Sequence, residues 1–493
     1  MHYITGCGVT LLYFALYLLT LCPTVFWYDS AEYAAAAVTL GIPHPPGYPL
    51  YTLIGHLFTW LPTSEPAYAL NLMSAVFGAA TVGLCYLVCH RLGARPLAAL
   101  CAAGTLGGGH VFWNQCVVTE VYTPALFVLL GVLLLVLRGL RRDSAPTLVA
   151  AAGLAGLGLG IHLFIATCGL GLGAMVLGLG LEGRIRTARD LRLAVHREGL
   201  SRRLRTAALC VAALLAGSCI YLYVPLRSSM NPALNFEHPT TWYRFSWFIT
   251  GGNYKNWFMS GYPVGHQLAL VGGIFYHQLL VVGVGLMMAG LMHLRGRPLL
   301  LIGLTLMVAG NIFFFFNYGV HDLEVFFLPA VTVVCVLVGL GVQAVCGWVD
   351  GHAQRRFPRM LARVALVLFP VSLTAINYSA VDLSEYTAAR DYGERLCAQL
   401  PRKAVLLNFT TPPEWKDNAV FSNYFQLVLG RRRDVEVVVP HAPVEVLRLL
   451  MQSRAVYAYY PVPRLVATFV LRKEGLLHRV VKPRLDTGSM PPQ

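Results

Sequence analysis

The chain has 493 residues, 56% of them hydrophobic and only 12% charged, and apolar blocks of bilayer-spanning length recur over its first three quarters; this excludes a soluble enzyme and assigns a multi-pass membrane protein. The formal charge of +15 invites a nucleic-acid reading, yet nineteen of the 38 Lys and Arg fall in five short segments between apolar blocks: Arg91 to Arg95, Arg138 to Arg142, Arg184 to Arg205, Arg295 to Arg297 and Arg355 to Arg363. Sixteen more follow residue 378, which leaves Arg227, Arg244 and Lys255 for every other connection, so the charge reports topology and implies no nucleic-acid partner.

Those five basic segments read as cytoplasmic, and alternation of sides then predicts about eleven spans, near 8–27, 67–89, 97–112, 123–138, 147–161, 163–181, 207–224, 267–292, 299–316, 326–346 and 363–377. The amino terminus is expected inside and the carboxyl tail outside. Met1 to Thr10 carry no Lys or Arg, and Leu21 before Cys22 suits lipoprotein cleavage poorly, so the first block reads as a retained helix. Asp29, Glu32, Glu65, Glu120, Glu237, Asp322 and Glu324 all fall on the outer side. The twelve cysteines lie mostly inside apolar blocks, with no CxxC spacing to suggest a metal site. Arg outnumbers Lys by 33 to 5, which resembles the coding bias of a GC-rich bacterium.

Residues 28–66 form the first outer loop, with room for a short interfacial helix between Tyr48 and Leu61. Residues 113–122 form the second. The 36 residues from Pro146 to Leu181 lie between two basic segments and must cross twice. Two such arms reach only about 27 Å each against a hydrocarbon core of roughly 30 Å, so the turn near His162 is expected in a recess below the outer surface. Residues 225–266 make a third outer loop, aromatic and rich in Gly and Asn. Past Asn377 hydropathy falls and periodicity predicts a helix near 383–400, a strand at Ala404 to Leu407, a helix near 418–429, a strand at Val435 to Val439, a helix at 443–452 and further strands after Ala455. The expected organisation is a mainly α transmembrane domain over 1–377 and a small extramembrane α/β domain over 378–493.

The chemistry concentrates at Asp29 and Glu32. Three residues apart on a continuing helix, both carboxylates face one way and can share a proton, serve as a general base or grip a hydroxyl. Solvated acids at a helix end would look the same. What favours a site is the neighbouring loop, where Pro43, Pro45, Pro46, Gly47 and Pro49 stiffen the backbone carrying His44 and Tyr48.

The run Asp29-Ser30-Ala31-Glu32 followed by Leu40-Gly41-Ile42-Pro43-His44-Pro45-Pro46-Gly47-Tyr48-Pro49-Leu50-Tyr51 resembles the membrane protein O-mannosyltransferase family related to the enzyme of plexin-type receptor domains. The resemblance continues through Trp113 to Tyr122, Gly156 to His162, Tyr223 to Arg227 with Asn231-Pro232, Asp322 to Pro329, and Asp382 to Tyr386. Ala31 stands where the family usually has Gly, which restricts the backbone but removes no functional group. The resemblance implies a GT-C fold, a polyprenyl-phosphate sugar donor arriving from the bilayer, and inversion at the anomeric carbon, with Asp29 as the base and Glu32 beside it as the catalytic carboxylates. Arg227 becomes a candidate for the phosphate, assisted by His162 or His44, and a snorkelling span-end arginine is its alternative. His162 is otherwise a helix-packing histidine. Glu120 is expected to orient the sugar, and Tyr48, Asn231, Asp322 and Glu324 complete the candidate substrate-binding set.

No cofactor is required by any motif, and a divalent cation is allowed where Asp29, Glu32 and Glu120 converge, although no HxxEH or DxD pattern supports one. The expected activity is transfer of a sugar, mannose for preference, to a Ser or Thr hydroxyl of exported proteins at the outer face of a bacterial inner membrane, or at the lumenal face of the endoplasmic reticulum in a eukaryote. The rivals are transfer to a lipid or envelope glycan and, in another class, a lipid-linked sugar flippase. Against the flippase stands the lack of an inverted repeat in the sequence.

Overall fold

Proline marks where many of the helices begin. Pro49, Pro66, Pro96, Pro298 and Pro329 each sit in a first turn, where the missing N–H has no intrahelical acceptor to lose. The computed structural model describes residues 2–178, 199–257, 263–320, 322–409, 417–440, 442–452 and 454–483. In chain order its membrane part comprises α1 (His2–Leu19), α2 (Asp29–Thr39), α3 (Pro49–Phe58), α4 (Pro66–Arg91), α5 (Pro96–Gly107), α6 (His110–Cys116), α7 (Tyr122–Arg142), α8 (Ala145–Leu159), α9 (Gly169–Leu177), α10 (Gly199–Ser218), α11 (Tyr223–Ser229), α12 (Trp242–Ile249), α13 (Val264–His293), α14 (Pro298–Phe315), α15 (Leu328–His352) and α16 (Arg356–Val381).

Among the described residues, eight helical stretches are long and apolar enough to cross a membrane. The other three predicted spans fall on shorter apolar helices, Pro96–Gly107, Ala145–Leu159 and Leu163–Leu177. The basic residues from Arg184 to Arg197 and the end of the sixth predicted span lie outside the described residues. α15 is the most enclosed of these helices, with nearly every side chain from Leu328 to Val342 buried. Its close approach to α13 depends on small residues: a Cβ on Gly341 would lie 1.8 Å from the Leu286 carbonyl oxygen, and one on Gly290 2.0 Å from that of Leu337.

Two boundaries differ from expectation. The first helix ends at Leu19, not near residue 27, because Asn71 of α4 reaches across to hold the chain in a non-helical path. Its Nδ2 donates to the carbonyls of Cys22 (2.8 Å) and Thr24 (2.9 Å). Asp29 and Glu32 therefore open a helix of their own rather than closing a span. The third predicted span breaks at Gly108 and Gly109, where side chains of α16 and α13 press too closely for a Cβ, and α6 carries the chain from His110 into the first four residues of the 113–122 loop.

Beyond α16 come α17 (Ala388–Gln399), β1 (Val405–Leu407), a π-helix (Ala419–Val428), β2 (Glu436–Val438), α18 (Pro443–Met451), β3 (Val456–Ala458), α19 (Pro463–Thr468), β4 (Phe469–Glu474) and β5 (Leu477–Pro483). The sheet order is β2-β1-β3-β5-β4. β1 pairs in parallel with β2 (Val405 opposite Glu436) and β3 (Val405 opposite Val456), while β5 runs antiparallel to β3 and β4. Val405, Leu407, Val456, Phe469 and Val480 form its core with Val446 and Leu465. This unit is fastened to the first outer loop: Arg390 pairs with the buried Glu65, the Trp27 indole N–H donates to the Tyr386 hydroxyl (3.0 Å), and the Leu383 N–H donates to the Thr20 carbonyl (3.1 Å). Its π-helix packs directly on α2.

Candidate active site

The stiff loop folds back over the first turn of α2. The Glu32 carboxylate accepts the His44 backbone N–H (2.8 Å) through one oxygen and faces His44 Nδ1 (2.9 Å) through the other. His44 Nε2 lies 3.0 Å from the Tyr48 hydroxyl and 3.8 Å from Asp29 Oδ2. Gly47 permits the turn, with φ of 88° and an N–H that donates to the His44 carbonyl (2.9 Å). Burial alone would depress the His44 pKa, but the charges of Asp29 and Glu32 and the hydrogen bond from Glu32 outweigh it and raise it to about 9. His44 is thus an imidazolium at neutral pH, and both ring N–H groups donate, to Glu32 and to Tyr48.

The two carboxylates consequently differ. The Glu32 side chain is 12% exposed and spent on His44, whereas that of Asp29 is 46% exposed and faces a cavity of about 2010 Å³. A pocket for one drug-sized ligand holds roughly 300–1,000 Å³, so this one has room for two substrates. Glu32, His44, Tyr48, Glu120, His162, Asp322 and Glu324 line it with Asp29. Glu120 is placed by α4, whose Ser74 hydroxyl accepts its N–H (3.3 Å), and α2 is tied to the same stretch by the Ser30 hydroxyl donating to the Thr119 carbonyl (2.8 Å). Burial, then the charges of Asp29 and Asp322, push the Glu120 carboxyl well above the usual carboxylate range.

His162 is buried in the turn after α8 and lines the cavity. Its Nδ1 accepts the Phe164 N–H (3.0 Å), which puts the proton of the neutral ring on Nε2. Burial and the nearby His44 charge lower its pKa to about 3. His162 is a neutral N–H donor at a cavity where His44 supplies the positive charge.

Arg227 and Asn231 do not join this group. The Arg227 guanidinium donates from Nε to the Leu40 carbonyl (2.7 Å) and from Nη2 to that of Thr39 (3.0 Å), with the Tyr223 hydroxyl also on Leu40 (2.7 Å). It caps the carboxyl end of α2, where the helix dipole favours a cation, and no Lys or Arg lines the cavity among the described residues. Asn231 is exposed in the turn after α11. Arg227→Ala is therefore expected to cost about 2 kcal/mol of stability and to leave affinity for polyprenyl phosphate unchanged per folded molecule. Thermal unfolding in detergent beside a lipid-binding titration checks this, and weakened binding at an unchanged melting point would restore the phosphate role.

The carboxylate and imidazole atoms of Asp29, Glu32 and His44 all lie within 4.8 Å of one another, while Glu120 stands outside that trio. Both His44 nitrogens already have protein partners and the ring holds its proton to about pH 9, so this donor set fits a proton better than a metal ion. Sequence reasoning passed over Asn114, Gln115, Phe314 and Phe315, and three asparagines of the C-terminal unit, all of which line the cavity. Phe313 to Phe316 read in sequence as a lipid-facing or core stripe. Its Phe314 and Phe315 form an apolar wall with Phe164 and Phe326.

The family profile described as the protein O-mannosyl-transferase TMEM260 N-terminal domain matches residues 29–178, a block that begins at Asp29 itself. The chain resembles the TMEM260 protein O-mannosyl-transferases. It is 26% identical over 450 residues to the mouse TMEM260 protein, covering 86% of this chain and 61% of the mouse one, so it spans about three fifths of that relative's length. The Dictyostelium discoideum TMEM260 protein is 27% identical over 125 residues, 24% of this chain and 15% of its own. Among solved structures, ArnT from Cupriavidus metallidurans bound to undecaprenyl phosphate aligns over 97% of both chains with a TM-score of 0.59 at 14% identity. The GT-C fold implied by the resemblance is the fold of this chain. Asp29, Glu32, His44, Tyr48, Glu120 and His162 lie within the block matched to TMEM260, and all six line the cavity.

Proposed function

We propose that this protein is an inverting glycosyltransferase that moves mannose from polyprenyl phosphate to a Ser or Thr hydroxyl of exported proteins, at the outer face of a bacterial inner membrane. The observation that carries the reading is the division of labour between two carboxylates: Glu32 is committed to the His44 imidazolium, and Asp29 faces a two-substrate cavity from the start of the TMEM260-like block. Asp29 takes the acceptor proton as the hydroxyl oxygen attacks the anomeric carbon. The carbon–oxygen bond to phosphate breaks on the opposite face, and polyprenyl phosphate leaves. The His44 charge and the His162 Nε2–H stabilise the departing phosphate, and Glu120, Asp322 and Glu324 hold sugar hydroxyls. The wall of Phe314, Phe315 and Phe326 supports entry of the polyprenyl chain, and the undecaprenyl phosphate bound by ArnT of the same fold supports that donor class. No metal is assigned to the reaction.

Purified protein given radiolabelled polyprenyl-phosphate mannose and a Ser/Thr peptide is expected to yield mannosyl peptide with inverted anomeric configuration, read by mass spectrometry and NMR. Movement of the labelled donor across vesicle membranes without transfer would instead establish the flippase.

A further inference from the structure

The C-terminal unit enters the cavity at Asn408, just past β1, at Asn418, the helical residue that precedes the π-helix, and at Asn423 within it. In an α-helix two residues five apart point about 140° away from each other. The i→i+5 bonding of a π-helix returns them to one face, and such turns concentrate at functional sites. Asn418 and Asn423 both line the cavity, while Val420, Phe421, Tyr424 and Phe425 are buried, Phe425 against Gly393 of α17. The Ser422 hydroxyl donates to Asn418 Oδ1 (2.7 Å), which orients that carboxamide and leaves its NH2 toward other partners. The Asn423 side chain has no hydrogen-bond partner among the described residues.

A second, independent observation comes from α6. Gln115 also lines the cavity, is only 6% exposed, and its buried Oε1 has no partner among the described residues. A buried acceptor left unpaired costs stability unless a ligand satisfies it. Each carboxamide offers NH2 donors and a carbonyl acceptor, the complement of a peptide group, and adds no charge beside an anionic donor.

We propose that Asn418 and Asn423, with Gln115, form the acceptor subsite, gripping the backbone amides of an extended polypeptide segment so that its hydroxyl meets Asp29. The inference rests on the glycosyl-transfer reading above. It makes the C-terminal unit part of the active site, and it makes acceptor choice depend on backbone accessibility more than on side-chain sequence.

Asn423→Ala and Gln115→Leu test it in the full-length protein. With a synthetic Ser/Thr peptide and labelled polyprenyl-phosphate mannose, each is expected to raise the peptide KM about tenfold. The value of kcat, donor affinity and slow hydrolysis of donor by water should stay near wild type. Gln115→Leu should also unfold no earlier than wild type, since it removes the unpaired acceptor. An unchanged peptide KM overturns the subsite, as does a rise in donor KM alone, which would give the carboxamides to the sugar. An equal KM rise with an envelope-glycan acceptor and none with peptide overturns the polypeptide assignment. Direct peptide binding by fluorescence anisotropy separates the two readings. Peptide affinity lost in Asn423→Ala supports the subsite even where wild-type protein transfers no sugar, the result that would sink the glycosyl-transfer reading.

Discussion

Asp29→Asn lowers sugar transfer by about 10² to 10⁴-fold, the usual contribution of a general base, and leaves polyprenyl-phosphate binding intact. The substitution keeps size and hydrogen-bonding reach, and Asn is as well accepted as Asp where a helix starts, so α2 should form as before. What disappears is the acceptor for the hydroxyl proton. Donor affinity should hold or tighten, because one negative charge has left the neighbourhood of a phosphate. Transfer and donor binding measured on the same preparation decide the matter: transfer at the wild-type rate removes Asp29 from the mechanism, and a parallel loss of binding shows a misfolded site.

Glu32→Gln should move the alkaline limit of activity from about pH 9 down toward 6.5. Glu32 contacts His44 twice, and its charge and hydrogen bond are among the causes that hold the imidazolium against burial. The sign follows from a raised pKa. His44 is charged below its folded value and loses that charge as pH rises through about 9, and the stability it contributes is complete below the unfolded value near 6.5 and fades over the same window. With the Asp29 charge still in place but that of Glu32 gone, less of the ring is charged at pH 8, so transfer there falls, by about thirtyfold at most were the whole shift lost, and recovers at pH 6. Recovery at low pH is what a purely structural defect would not show. A pH–rate profile with its alkaline limb unmoved would detach His44 from the reaction.

Local chemistry made part of the site legible beforehand. Prolines crowded around His44 and two acids three residues apart announce a rigid polar loop whatever surrounds them, and the Pro146 to Leu181 stretch is short enough to put a turn at His162 by length alone. Periodicity located β1 and β2 to within a residue, and announced further strands after Ala455 without their bounds or pairing. Arg227 shows where such reasoning stops. An isolated arginine near a presumed phosphate site has the right charge, but its guanidinium is consumed by the carbonyls of Thr39 and Leu40, at the carboxyl end of a helix almost 190 residues away. Gln115, Asn418 and Asn423 carried no signal, because a carboxamide in a helix looks the same in sequence whether it faces water or a substrate.

The sequence by itself determined the membrane class, most of the segments that form helices and the pairing of stiff loop with carboxylates, since these follow from hydropathy and short-range spacing. Only the tertiary structure decided that Glu32 holds His44 while Asp29 faces the cavity, that His44 lines it while Arg227 caps α2, and that residues of the C-terminal unit line the same cavity. Each of these depends on which distant groups compete for the same hydrogen-bonding atoms, and that competition exists only once the chain has folded.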